Sequence, residues 1–142
     1  MNDNHIKLEI DAKPENTSLA RVVAAAFVTP CDATIGEISD IKTAVSEAVT
    51  NAIIHGYADS TGIVTMTLST KGRTVTIKVS DSGVGIENIQ SAMEPLFTTK
   101  PEMERSGLGF TVMESFMDKI EVASTLGAGT TVTMTRKLGT SQ

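Results

Sequence analysis

Apolar and polar residues alternate through Ile6, Leu8 and Ile10, the period of a strand with one face toward a core. Pro14 and Asn16 break that rhythm. From Ser18 to Val28 the spacing becomes helical, and it predicts Leu19, Val22, Val23, Ala26 and Phe27 on the apolar side, with Pro30 as the stop. Thr34 followed by Glu37 has the form of a capping box, which opens a second helix. That helix is expected to reach about His55 and to end at Gly56, with Ile38, Ile41, Val45, Val49 and Ile53 as its buried stripe.

Beyond Gly56 the period shortens to two. Val64, Met66 and Leu68 alternate with polar residues, as do Val75, Ile77 and Val79, and Lys71-Gly72-Arg73 between them predicts an antiparallel hairpin. Asp81 to Gly85 reads as a turn, and residues 87–92 as a short helix. Met93 to Ser106 is polar, contains two prolines and has no clean period; it is long for a plain connection, which marks a functional loop such as a lid or a disordered segment. Gly109 to Met117 is helical again. Two more alternating runs, Ile120 to Ser124 and Thr130 to Arg136, are joined by Gly127-Ala128-Gly129, and the tail from Gly139 to Gln142 is expected to fray. Helices combined with a mixed, mostly antiparallel set of strands predict a two-layer α/β sandwich, with the helices on one face of the sheet.

The length of 142 residues fits one domain, 1–142. The single cysteine, Cys31, excludes an internal disulfide and fits a reducing compartment; without an electropositive niche it reads as an incidental thiol. The net charge of −5, with no cluster of Lys and Arg, argues against non-specific nucleic-acid binding. Trp is absent and Tyr57 is the single tyrosine, so stacking on exposed bases is not expected. With no membrane-length apolar run and no secretion signal visible, a cytoplasmic location is the expectation.

Three clusters carry candidate chemistry. Glu47, Asn51 and His55 stand at i, i+4 and i+8, on one face of the second helix. An asparagine oxygen is a hard ligand suited to magnesium, and a glutamate one turn away can take a hydroxyl proton. The same spacing also describes a plain solvated stripe, and His55 suits either a phosphoacceptor or, as the favoured reading, a helix-end residue whose imidazole complements the dipole. Asp81-Ser82-Gly83-Val84-Gly85 follows a strand directly: the carboxylate can accept from an exocyclic amine, as in adenine, and the glycines admit close backbone approach, although a Gly-rich turn has the same composition. Arg105-Ser106-Gly107-Leu108-Gly109-Phe110-Thr111 leads into a helix, an arrangement that suits phosphate or simply a helix start. In order, these parts supply a metal ligand, a base reader and a phosphate cradle. The chain has neither GxxxxGK[ST] nor the HRD and DFG motifs, which excludes a Walker-type loop and a two-lobed protein kinase.

At these residues the sequence resembles the GHKL ATPases, the superfamily with the Bergerat-type ATP-binding fold that includes gyrase, the heat-shock chaperone, histidine kinases and MutL. Within it the chain is most similar to the bacterial sporulation anti-sigma F family. Ser46 to Tyr57 matches that family's asparagine box, and Pro95 to Pro101 with Glu104 to Thr111 matches its lid and second glycine box. Ser18 to Phe27 and Gly129 to Val132 are also similar. The resemblance implies a homodimeric serine kinase that inhibits sporulation sigma factor F and uses ATP and Mg2+ to phosphorylate an anti-anti-sigma factor. By position, Asn51 would hold magnesium, Glu47 would activate the partner's serine, and Asp81 would read adenine with Thr130 beside it. Gly83, Gly85, Gly107 and Gly109 would let backbone approach the nucleotide. Thr98, Thr99, Lys100 and Arg105 would sit on the lid near the phosphates. Read from its own helix, Arg21 among small and apolar residues suits either a solvated position on a core helix or a partner-facing one that meets an acidic residue on sigma. The second glycine box is shorter than in many GHKL relatives, so lid side chains would carry more of the phosphate charge. A stress-response anti-sigma kinase, a detached histidine-kinase ATPase domain and a pure ATP-switched binding module are the alternatives.

Overall fold

Two rows of apolar side chains cross the whole sheet and organise the molecule. The computed structural model describes residues 3–56, 62–83, 109–125 and 127–139. Its strands are β1 (Asn4–Asp11), β2 (Ile63–Lys71), β3 (Thr74–Asp81), β4 (Lys119–Thr125) and β5 (Gly129–Lys137), in spatial order β1-β2-β3-β5-β4, and every pairing among them is antiparallel. The register lines up Ile6, Leu68, Ile77, Met134 and Ile120 in one row and Leu8, Met66, Val79, Val132 and Val122 in the next. Period-two alternation sends both rows to the same face. Met66, Leu68, Ile77 and Met134 are fully buried there. Each such side chain contributes about 1.5–3 kcal/mol, so a one-residue slip in register forfeits a whole row. The other parity carries Thr65, Thr67 and Ser69 on β2, Thr76, Lys78 and Ser80 on β3, and Thr131, Thr133 and Thr135 on β5, largely β-branched residues suited to a strand face without a core partner.

The helices α1 (Asn16–Val28), α2 (Ile35–Asn51) and α3 (Gly109–Phe116) cover the apolar face, with α2 packed between the other two. On α2 the expected stripe is buried at Ile41, Val45, Val49 and Ile53 and half-buried at Ile38. On α1 the expectation needs correction. Its buried residues are Ala20, Ala24, Phe27 and Val28, while Leu19 and Val22 are 47% and 63% exposed. Phe27 is buried and Val23 half-buried as expected, but the helix is apolar nearly all round, so its spacing could not fix the rest of the facing arc, and Ala20 and Ala24 take the places expected for Leu19 and Val22.

The second helix also ends differently from the sequence expectation. It stays α-helical to Asn51 and then widens into a π turn over Ala52–Gly56 that packs against β3 and β5. The wider turn advances fewer degrees per residue than an α-helix, and the His55 side chain lies outside the described residues. The short helix expected at residues 87–92, the loop from Met93 to Ser106 and the last residues of the tail lie outside the described residues.

The capping box is present: Glu37 N–H donates to Thr34 Oγ1 at 3.0 Å, and Thr34 N–H donates to Glu37 Oε1 at 2.9 Å. Glu37 Oε2 also accepts from Gly139 N–H at 2.7 Å. Gly139, where the tail is expected to begin fraying, is thus held in place, next to a buried Leu138 and with Arg73 bonding both the Gly139 and Cys31 carbonyls. Cys31 itself is buried, away from solvent oxidants. At the same end of the sheet, Arg136 points inward and donates to Asp40 Oδ2 at 3.1 Å and to the Phe116 carbonyl at 2.6 Å, tying β5 to α2 and α3. The two turns that set strand register both use glycine at positive φ. Gly72 (φ +60°) closes the β2–β3 hairpin, and Gly129 (φ +114°) opens β5. A Cβ on Gly129 would lie 2.1 Å from the Asp81 carbonyl oxygen.

Two outcomes follow. Gly129→Ala adds a backbone clash to an unfavourable φ, and is expected to lower unfolding free energy by at least about 1–3 kcal/mol in urea titration; an unchanged midpoint would show that β5 can retreat freely. The Gly139 and Thr34 amides hold Glu37 below its ordinary carboxylate pKa of 4.5, the Gly139 bond being the larger cause. A depressed carboxylate contributes stability above its unfolded pKa and loses it as pH falls through the lower folded value. Glu37→Gln should therefore flatten the acid limb of stability against pH while changing little at neutral pH beyond the loss of the charge-assisted bonds, which denaturation at stepped pH will read.

Candidate functional site

The apolar rows stop at one end of the sheet, and polar residues take their place without a change of face. Asp81 follows Val79 by two, Thr130 precedes Val132 by two, and Ser124 follows Val122 by two. The ladder pairs Asp81 with Thr130 and Thr130 with Ser124. A third row on the helix-facing side is thus a carboxylate and two hydroxyls. The Asp81 side chain accepts from Gly83 N–H at 2.9 Å, a local turn that fixes its orientation. Burial pushes its carboxyl pKa up, and backbone bonds from Gly83 and Thr130 oppose that shift. The ionised form is held at a cost, as expected of a group placed for a ligand rather than for stability.

The Gly129 contact sets how near β5 comes to this carboxylate. Because its position has no Cβ, β5 can start against the Asp81 carbonyl, and Thr130 comes directly opposite Asp81. Ser124 Oγ lies 3.0 Å from the Gly129 carbonyl oxygen and 2.8 Å from Thr130 Oγ1. Ser124 lies outside the three motif clusters. The signal was there in the alternation Ile120, Val122, Ser124, where a hydroxyl occupies an inward position.

The second part of the site lies between helices. Glu47 and Asn51, one turn apart on α2, are half-buried rather than part of a solvated stripe. They face the first residue of α3: a Cβ placed on Gly109 would sit 3.5 Å from Asn51 Oδ1, from Asn51 Nδ2 and from Glu47 Oε1. The structure thus brings together Glu47 and Asn51 from the first sequence cluster and Gly109 from the third. The π turn after Asn51 packs on β3 and β5, the two strands that carry Asp81 and Thr130, and so links this helix pair to the polar end of the sheet.

Among the described residues no group of three His, Cys, Asp or Glu side chains could hold a metal. The donor set at Asn51 and Glu47 is oxygen-based and sparse. That fits magnesium, which keeps waters and phosphate oxygens as most of its ligands, and does not fit a thiolate or imidazole metal. Arg21 is exposed on α1, on the outward side with Leu19 and Val22. Gly85, Thr98, Thr99, Lys100, Arg105 and Gly107 lie outside the described residues. No described helix is long and apolar enough to cross a membrane.

Residues 10–136 match the family described as "Histidine kinase-like ATPase domain". The chain is 56% identical over 134 residues to an anti-sigma F factor of Clostridium kluyveri, covering 94% of each chain. It is 56% identical over 137 residues to that of Clostridium acetobutylicum, covering 96% of each, and 54% identical over 139 residues to that of Clostridium perfringens, covering 97% of this chain and 99% of the relative. Its fold is shared with a crystal structure of RsbU and RsbW domains from Mycobacterium tuberculosis (TM-score 0.68, 22% identity, 95% of this chain and 32% of the longer one). The catalytic domain of histidine kinase ThkA has the same fold at a TM-score of 0.57, with 18% identity over 94% of this chain and 97% of that domain. The chain belongs to the histidine kinase-like ATPase domain family of the GHKL superfamily and, by identity over nearly its whole length, to the anti-sigma F factors within it.

Proposed function

We propose that this protein is an ATP-dependent serine kinase that also binds and inhibits sporulation sigma factor F, and that its phosphorylation substrate is an anti-anti-sigma factor. The observation that carries the kinase reading is the convergence of Glu47 and Asn51 on the N-terminus of α3 at Gly109. The names of its relatives support the sigma-factor part.

In this reading adenine lies at the Asp81–Thr130 end of the sheet, its exocyclic amine donating to the carboxylate. The triphosphate runs toward Asn51 and Gly109. Magnesium, held by Asn51, would offset phosphate charge. Glu47 accepts the proton of the partner's serine as its hydroxyl oxygen bonds the γ-phosphorus, and the bond to ADP breaks. Arg105, with Thr98, Thr99 and Lys100, is assigned to the phosphate charge, and Gly83, Gly85 and Gly107 to close backbone approach. Arg21, on the exposed apolar arc of α1, is assigned to a partner, and the working unit to a homodimer.

The decisive experiment incubates the protein with radiolabelled ATP, magnesium and the anti-anti-sigma protein, then maps the labelled side chain. Phosphoserine is expected; absence of label on the partner would remove the kinase assignment. In the same assay Glu47→Ala should keep ATP binding and lose about 10²–10⁴ in transfer rate, the usual worth of a general base, and wild-type transfer would take Glu47 out of the chemistry. Asp81→Asn should weaken ATP far more than GTP in calorimetry, because it replaces an acceptor with a donor facing the amine. Unchanged ATP affinity would mean that the base is read elsewhere.

A further inference from the structure

We infer that Ser124 is a specificity-determining positioning residue that fixes the proton of the Thr130 hydroxyl and so makes the inner end of the sheet accept, and not donate, toward a nucleobase. The argument is one of proton counting. Ser124 Oγ lies 3.0 Å from the Gly129 carbonyl oxygen and 2.8 Å from Thr130 Oγ1. A carbonyl oxygen can only accept, and a serine hydroxyl has one proton. Both contacts are hydrogen bonds only if Ser124 donates to Gly129 and accepts from Thr130. The Thr130 proton then points at Ser124, and its lone pairs are what remain for a ligand or a bridging water.

Asp81, the ladder partner of Thr130, is likewise an acceptor when ionised, and its Oδ1 is already engaged by Gly83 N–H. The Gly83 and Thr130 backbone N–H groups are turned to the Asp81 carboxylate itself, and the two adjacent side-chain acceptors favour a ligand edge that carries an N–H₂ group. They disfavour one that carries a carbonyl oxygen, because each mismatch leaves a partly buried polar pair unmade. Gly129 contributes twice, since its missing Cβ allows the close approach and its carbonyl takes the Ser124 proton. The ligand class that follows is a 6-aminopurine nucleotide, selected against a 6-oxopurine nucleotide of the same sugar and phosphate charge.

This inference rests on the reading of the Asp81–Thr130 pocket as a base site, and the test separates the two. Calorimetry on the full chain compares Mg–ATP with Mg–ITP, which differ at the purine 6-position and the adjoining ring nitrogen. Wild type should prefer ATP. Ser124→Ala frees the Thr130 hydroxyl to turn its proton toward a carbonyl, and should narrow the ATP-to-ITP preference roughly tenfold. Ser124→Thr keeps a hydroxyl there and should retain the preference. In a Thr130→Val background, Ser124→Ala should change the ratio no further, which a merely structural role would not produce. Should Ser124→Ala fail to fold, Ser124→Cys, with a weak S–H donor, serves the same comparison. A preference that Ser124→Ala leaves intact, or a loss equal for both nucleotides, overturns the role of Ser124 and leaves the base site standing. If wild type binds the two nucleotides equally, or binds neither, both the base site and this inference fall.

Discussion

The close approach of β5 to the end of β3 is the constraint on which the site depends. Gly129, at a φ of +114°, lies so near the Asp81 carbonyl that a single added carbon has no room. That approach puts Thr130 opposite Asp81 and Ser124 opposite Thr130, and it continues the register of the two apolar rows into a polar third row. Core and site are one pleated surface, and the same alternation that buries Val79, Val132 and Val122 turns Asp81, Thr130 and Ser124 inward. A shift of one residue in β5 would turn Val132 and Met134 out of the core and move Thr130 away from Asp81 together.

Stability and function pull on this end of the sheet in different directions. Burial raises the Asp81 pKa, so its carboxylate favours the folded state at low pH and withdraws that support as pH rises through the folded value. The opposite end has the reverse character. Arg136 meets Asp40 and the Phe116 carbonyl, Glu37 gathers the Thr34 and Gly139 amides, and Leu138 is buried. Charges there have partners within the fold and tie the helix layer and the C-terminal segment to the sheet. A protein with one tightly satisfied end and one charged, costly end can bind a charged ligand at the second without reorganising the first.

Helix α2 connects these functions. Its first turn is held by the capping box, its middle buries Ile41, Val45 and Val49, and its last turn presents Glu47 and Asn51 to Gly109. The change from α to π geometry after Asn51 comes where the chain leaves the helix layer to pack on β3 and β5. Such turns recur at functional sites because they reorient the chain without breaking its hydrogen bonding. Here the result is a metal-ligand candidate at the helix end with a candidate base-reading carboxylate on the adjoining strands.

The sequence by itself determined the strands, the capping box, the hairpin at Gly72, the buried stripe of α2 and the candidate residues Glu47, Asn51, Asp81 and Gly109, because each is written in local spacing or local turn chemistry. It also carried the family, since a box of residues in fixed order survives without any knowledge of contacts. Tertiary structure alone decided the rest. The facing arc of α1 was illegible because Leu19, Ala20, Val22, Val23 and Ala24 are all apolar, and packing against α2 chose the alanines. The π turn was illegible because Ala52 and Ile53 suit an α-helix equally well. Ser124 and Gly129 acquired their roles when strands distant from Asp81 in the chain were laid beside it, for the direction of a hydroxyl proton is set by neighbours in space and leaves no periodic mark in sequence.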